Sequence, residues 1–130
     1  MKLQFNINPV PASRPRVTRW STFYPKKYTQ FREDMGVLLS EYTQCPIKEL
    51  IECHIELLIE MPKSWPKKKK ESLEGKYCNN NSDLDNYAKA ILDAMNTIVY
   101  DDDKQIVKLS ISKRWGKDGK IVVELNEITK

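Results

Sequence analysis

Between residues 82 and 96 the chain reads S-D-L-D-N-Y-A-K-A-I-L-D-A-M-N, and Y-D-D-D-K-Q-I follows from Tyr100. Asp83, Asp85, Asp93, Asp101, Asp102 and Asp103 thus crowd into one short span, with Lys89 among them. Like charges held together repel and weaken a fold unless a cation binds them. The crowding stands out because the whole chain carries a formal net charge of +4 at pH 7. Hard carboxylate oxygens suit Mg²⁺ or Mn²⁺ and do not suit zinc. On a polyanionic substrate, a divalent ion held this way activates water and stabilises charge on the scissile phosphate.

The spacing supports that chemistry. Asp83 and Asp85 fall where a loop enters a helix, so their carboxylates can converge on one point. Lys89 lies four residues after Asp85 and projects from the same helix face. There it can set a positive charge near the scissile phosphate or the attacking water. Asp93 continues that face. Asp101, Asp102 and Asp103 precede a strand that begins near Ile106, and its entry loop can return one or two of them to Asp83 and Asp85. Each acid has a plainer role open to it: Asp83 or Asp85 as a helix cap, Asp93 as a partner of Lys89, the D-D-D run as a solvated turn. A calcium loop is excluded by the missing glycine of the D-x-[DN]-x-[DN]-G register.

The rest of the charge is segregated. Residues 1–30 hold Lys2, Arg14, Arg16, Arg19, Lys26 and Lys27 and no acid, and residues 62–77 add Lys63, Lys67 to Lys70 and Lys76 against Glu71 and Glu74. Basic segments flanking an acidic cluster fit a polyanion gripped by Lys and Arg and worked on by carboxylates. Arg14, Arg16 and Arg19, with Lys26 and Lys27, form a candidate DNA clamp beside Trp20, Phe23 and Tyr24. These aromatics either stack on an exposed base or pack beneath the loop. Lys67, Lys68 and Lys69 are a second candidate DNA contact, or a plain soluble face. Cys45, Cys53 and Cys78 are odd in number and widely spaced, which argues against a disulfide framework and for a reduced, cytoplasmic protein. With His54 alone they make no zinc site. His54 is expected at the surface without a catalytic role. No apolar run reaches membrane-spanning length, and residues 1–7 lack a signal peptide's apolar stretch.

At 130 residues the chain is expected to be a single domain, 1–130. Alternation at Leu3, Phe5 and Ile7 predicts a strand; Pro9, Pro11 and Pro15 predict an irregular loop over 9–25. Helical spacing of Tyr28, Phe31, Met35, Leu38, Leu39 and Tyr42 predicts a helix over 26–42. Residues 49–61 alternate as a strand with one solvated face. A short basic helix over 65–74 and a loop over 75–82 follow. A helix from Asp85 to about Ile98 buries Ala88, Ile91, Leu92, Met95 and Ile98. Val107, Leu109 and Ile111, a Gly116–Gly119 turn, then Ile121, Val123 and Leu125 predict a closing hairpin. The sum is α+β: a small mixed sheet of about four strands packed by helices on one face.

Taken as a block, D-L-D-N-Y-A-K-A-I-L-D-A-M-N followed by V-Y-D-D-D-K-Q-I-V closely resembles the RusA family of Holliday-junction resolvases. The opening P-x-x-R-P-R, the Y-P-K-K-Y and the K-S-W-P-K-K-K-K segments are also similar to that family, so the resemblance spans nearly the whole chain. It implies a small homodimeric α+β nuclease that binds four-way DNA junctions and cuts symmetrically related strands with Mg²⁺, Mn²⁺ being a possible substitute. Carried over by position, Asp83, Asp85, Lys89 and Asp103 are the expected catalytic residues, and Asp83, Asp85, Asp102 and Asp103 the expected metal ligands. Gln105-Ile106-Val107 anchors the assignment of Asp103 over Asp101. Where many relatives carry Lys-Pro ahead of D-L-D-N, this chain has Asn81-Ser82, so one nearby positive charge is missing. A two-fold dimer matches the two-fold symmetry of a Holliday junction and the need for paired cuts. Other readings are a less selective Mg²⁺ nuclease and a branched-DNA-binding protein without activity.

Overall fold

The computed structural model describes residues 1–129. In chain order its elements are β1 (Lys2–Phe5), β2 (Arg16–Val17), β3 (Thr22–Phe23), α1 (Lys26–Leu39), β4 (Leu50–Glu60), α2 (Lys67–Leu73), α3 (Leu84–Met95), a 3₁₀ turn (Asp103–Gln105), β5 (Ile106–Gly116) and β6 (Lys120–Ile128). The protein is a mixed α+β structure with one four-stranded sheet in the order β1-β6-β4-β5. The chain divides into two compact units.

The first unit comprises residues 1–9, 49–81 and those from Lys104 on, and it holds the sheet. β4 shows why the sheet forms. Ile51, Cys53, Ile55, Leu57 and Ile59 are buried, and Glu52, His54, Glu56 and Glu60 alternate with them on a wetter face. The buried side matches its neighbour across the antiparallel β4–β6 register, where Cys53 faces Leu125, Ile55 faces Val123 and Leu57 faces Ile121. On the wetter face the Glu52 carboxylate accepts from His54 Nε2 at 2.7 Å, with Lys108 Nζ 3.7 Å away. His54, and secondarily Lys108, hold the Glu52 carboxyl below the usual carboxylate range.

One expectation for this unit is corrected. β5 and β6 are not hairpin partners: β4 lies between them, parallel to β5 and antiparallel to β6. A parallel pair needs a long crossover, and residues 61–105 supply it, α2 and α3 included. The Gly116–Gly119 turn therefore carries the chain past the end of β4. Asn8 packs directly against Gly119, leaving no room for a Cβ there, and the Asn8 Oδ1 accepts the Glu60 N–H at 2.9 Å.

The second unit comprises Val10–Lys48 and Ser82–Asp103. α1 buries Tyr28, Phe31, Met35 and Leu39; α3, which packs on it, buries Tyr87, Ala88, Ala90, Ile91 and Met95. Both helices are shorter than their periodicity predicts. α1 ends at Leu39, before Tyr42. α3 ends at Met95 because Asn96 turns extended and Thr97 adopts a positive φ of 67°, which no helix continues through. Ile98 thus sits in a turn, half-buried, and Leu92 is half-buried as well. The loop after Pro9 is also more ordered than its prolines suggest. β2 and β3 pair Arg16 with Phe23 and Val17 with Thr22, and the tip is closed by Thr18, whose N–H and hydroxyl both donate to the Ser21 carbonyl.

Candidate active site

The start of α3 presents its acids unspent. Asp83 holds the N-cap position, yet its side chain makes no capping hydrogen bond; the Asn86 and Tyr87 N–H groups bond instead to its backbone carbonyl, at 3.2 and 3.3 Å. Asp85 sits in the first turn. Both are exposed, and neither forms an ion pair among the described residues. An N-cap aspartate ordinarily gains its stabilising effect by bonding the free N–H groups. Here that role goes unused and the carboxylate remains open to solvent. Lys89, one turn on, reaches the Asp93 carboxylate at 3.3 Å, as an i,i+4 pair should. Asp93, by hydrogen bond and charge, raises the Lys89 pKa above the ordinary lysine value, and the Asp103 charge adds to it.

The expected return of the acidic run is made by the turn after Thr97, which ties it to the C-terminal end of α3. After Thr97, the fully buried Tyr100 donates its hydroxyl to the Leu92 carbonyl at 2.7 Å. Asn96, at the end of α3, accepts the Asp103 N–H on its Oδ1 at 3.1 Å. Asp101 leaves the cluster: Lys48 Nζ lies 2.8 Å from one carboxylate oxygen and 2.9 Å from the other. Asp102 and Asp103 are hydrogen-bonded to each other. Partial desolvation first, then Asp102, then Asp93 push Asp103 above the usual carboxylate range, against the pull of Lys89. The two carboxyls thus crowd each other, a repulsion that a cation would relieve. Among the described residues no group of three or more His, Cys, Asp or Glu side chains is gathered tightly enough to hold a metal ion by itself. Mg²⁺ does not require such a cage. It keeps several waters and commonly takes one or two protein carboxylates plus substrate phosphate, a demand that the Asp102–Asp103 pair fits.

Lys89 also lines a groove of about 580 Å³ within this unit, together with Arg14, Tyr24, Tyr28, Arg32 and Asp93. Arg32 was not anticipated. It is an exposed charge on an ordinary-looking helix, and only the fold sets it across from Arg14 and Lys89. The expected DNA-contact residues are otherwise dispersed. Arg16 and Arg19 lie on the exposed β2–β3 ribbon beside Trp20, which is 86% exposed, and Lys26 and Lys27 open α1. Trp20, Phe23 and Tyr24 do not pack beneath the loop; all are exposed. In the other unit Lys67, Lys68 and Lys69 are exposed on α2, Lys69 over the Trp65 ring at 4.2 Å.

These features define a small α+β protein with uncommitted carboxylates, a lysine and an arginine-lined groove around one helix. Residues 6–126 match the family Endodeoxyribonuclease RusA. A second likeness is to "Uncharacterized protein YqaN" of Bacillus subtilis (strain 168), 30% identical over 110 residues that cover 81% of this chain and 78% of that protein. The chain belongs to the RusA endodeoxyribonuclease family.

Proposed function

We propose that the protein is a Mg²⁺-dependent, structure-specific endodeoxyribonuclease that resolves four-way junctions by paired symmetric nicks, in DNA recombination and repair or phage DNA processing, and that it acts as a homodimer in the cytoplasm. The observation that carries this reading is the unspent pair Asp83 and Asp85 at the head of the helix that bears Lys89, in a chain of an endodeoxyribonuclease family. The helix dipole favours negative charge there, but no capping hydrogen bond or ion pair among the described residues engages either carboxylate.

Asp83, Asp85, Asp102 and Asp103 would hold the divalent ion, Mn²⁺ being a possible substitute. When bound, the ion supplies a water of lowered pKa and charge stabilisation at the phosphate. The chain's own residues do the rest. Asp102 and Asp103 would present their adjacent carboxyls to the cation, whose charge would offset the mutual repulsion that raises the Asp103 pKa. Lys89 holds its proton, since Asp93 raises its pKa, and so keeps a full positive charge for the developing charge on the phosphate. Arg14, Arg16, Arg19, Lys26 and Lys27, with Lys67, Lys68 and Lys69, bind backbone phosphates at the arms.

The test is cleavage of an end-labelled synthetic four-way junction in Mg²⁺ or in EDTA, by wild type and by Asp85→Asn. Paired symmetric nicks that require Mg²⁺ and vanish in the variant are expected. Cutting of flaps and junctions alike points to a less selective nuclease. Tight junction binding without nicks in any metal makes the protein a branched-DNA binder and removes the catalytic reading.

A further inference from the structure

The groove beside Lys89 contains an arginine with no structural task. Its walls carry the cations Arg14, Arg32 and Lys89 and a single carboxylate, Asp93. That carboxylate is engaged by Lys89 at 3.3 Å. Arg14 and Arg32 form no ion pair and no side-chain hydrogen bond among the described residues.

Arg32 is nevertheless held in place. Its Cζ lies 5.2 Å from the Tyr24 ring centroid and 5.8 Å from that of Tyr28. The two rings meet edge-to-face at 5.7 Å, which fixes one against the other. Tyr28 is buried and stands one helical turn before Arg32 on α1, so it is a firm support. Aromatic contact differs from a salt bridge in one respect that matters here: it steadies the guanidinium while using none of its in-plane N–H donors. A guanidinium oriented this way, opening on a groove with surplus positive charge, is preorganised for a bidentate oxyanion.

We propose that Arg32 is a phosphate-binding residue. Together with Arg14 it grips one backbone phosphate of the strand that runs past Lys89, and Tyr24 and Tyr28 hold its guanidinium in register. This rests on the nuclease reading for the identity of the strand; the grip itself does not.

The experiment is junction binding by Asp85→Asn protein, which does not cut, in the presence of Mg²⁺, across a salt series. It compares Arg32 with Arg32→Ala, Arg32→Lys and Tyr24→Leu, each first checked for folding by circular dichroism. Loss of one phosphate contact lowers the slope of log K against log salt by about one. Arg32→Ala is expected to show that drop and about a 10-fold weaker Kd, as for a lost charged hydrogen bond. Arg32→Lys keeps the charge and the slope but not the full affinity. Tyr24→Leu weakens binding with the slope intact. If Arg32→Ala leaves both slope and Kd unchanged, the proposal fails while the nuclease reading stands. If the protein binds no branched DNA, the nuclease reading fails. The grip is then decided by titrating the dinucleotide TpT against the Arg32 Nε–H resonance: a saturable shift upholds it, and no shift overturns it.

Discussion

At the N-cap of α3, the Asp83 carboxylate bonds to none of the N–H groups beside it. Removing its charge therefore takes away little that folds the protein. Asp83→Asn is expected to shift stability by less than about 0.5 kcal/mol, measured by urea denaturation, while junction cleavage is lost. A loss of about 1 kcal/mol or more would mean the acid serves the helix after all. A second residue makes a prediction about pH. Cys53 is fully buried in β4, and burial pushes its thiol from 9.0 up to about 11. A group whose folded pKa is raised contributes stability that is intact below its unfolded pKa and lost as pH rises through the folded one. The unfolding midpoint of wild type should thus fall between pH 9 and 11 more steeply than that of Cys53→Val, by an amount up to about 2 kcal/mol. Equal slopes would count against the desolvated thiol. At this scale the sequence was informative about placement, since the spacing of Asp83, Asp85 and Lys89 put them at the head and first turns of one helix. It was silent on Arg32 and Lys48, whose roles depend on which distant segment faces them.

At the scale of elements, periodicity located every long helix and strand, because a buried stripe needs only the local pattern of apolar residues. The β5–β6 hairpin was misread for the converse reason. A glycine-rich turn between two strands says that the chain reverses, but which strand fills the gap beside β4 is a matter of long-range pairing. The early end of α3 was equally hidden, since Ile98 keeps the helical period although Thr97 breaks the backbone. That break has a consequence for the site. The turn it starts is pinned by Tyr100 on the Leu92 carbonyl and by Asn96 on the Asp103 N–H. Tyr100→Phe keeps the buried ring and removes only that bond, leaving the Leu92 carbonyl one donor short. It should cost about 1 kcal/mol in thermal or urea unfolding. Cleavage should fall by more than that stability change explains at a temperature where the protein is fully folded, because Asp102 and Asp103 hang from this turn. Unchanged kcat in a destabilised variant would show that the turn serves the fold alone.

For the whole molecule the question is how a chain with one candidate site would make the paired cuts of the proposed reaction. Each chain bears a single set of Asp83, Asp85, Lys89 and Asp103, and a junction with two-fold symmetry offers two equivalent phosphodiesters. A symmetric dimer meets both without moving, whereas a monomer must release the junction and rebind after the first nick. The two cases differ in mixed assemblies. When wild-type chains and an excess of Asp85→Asn chains are unfolded together and refolded, random pairing of the proposed dimer puts nearly every wild-type chain in a heterodimer with one working site. On a supercoiled plasmid carrying an extruded cruciform, wild type should then give linear product from paired cuts, and the mixture should give nicked circles. Sedimentation should report twice the 15.2 kDa chain mass in both samples. If the mixture instead yields linear product in proportion to its wild-type content, each chain cuts alone, and the pairing of nicks must come from the junction itself.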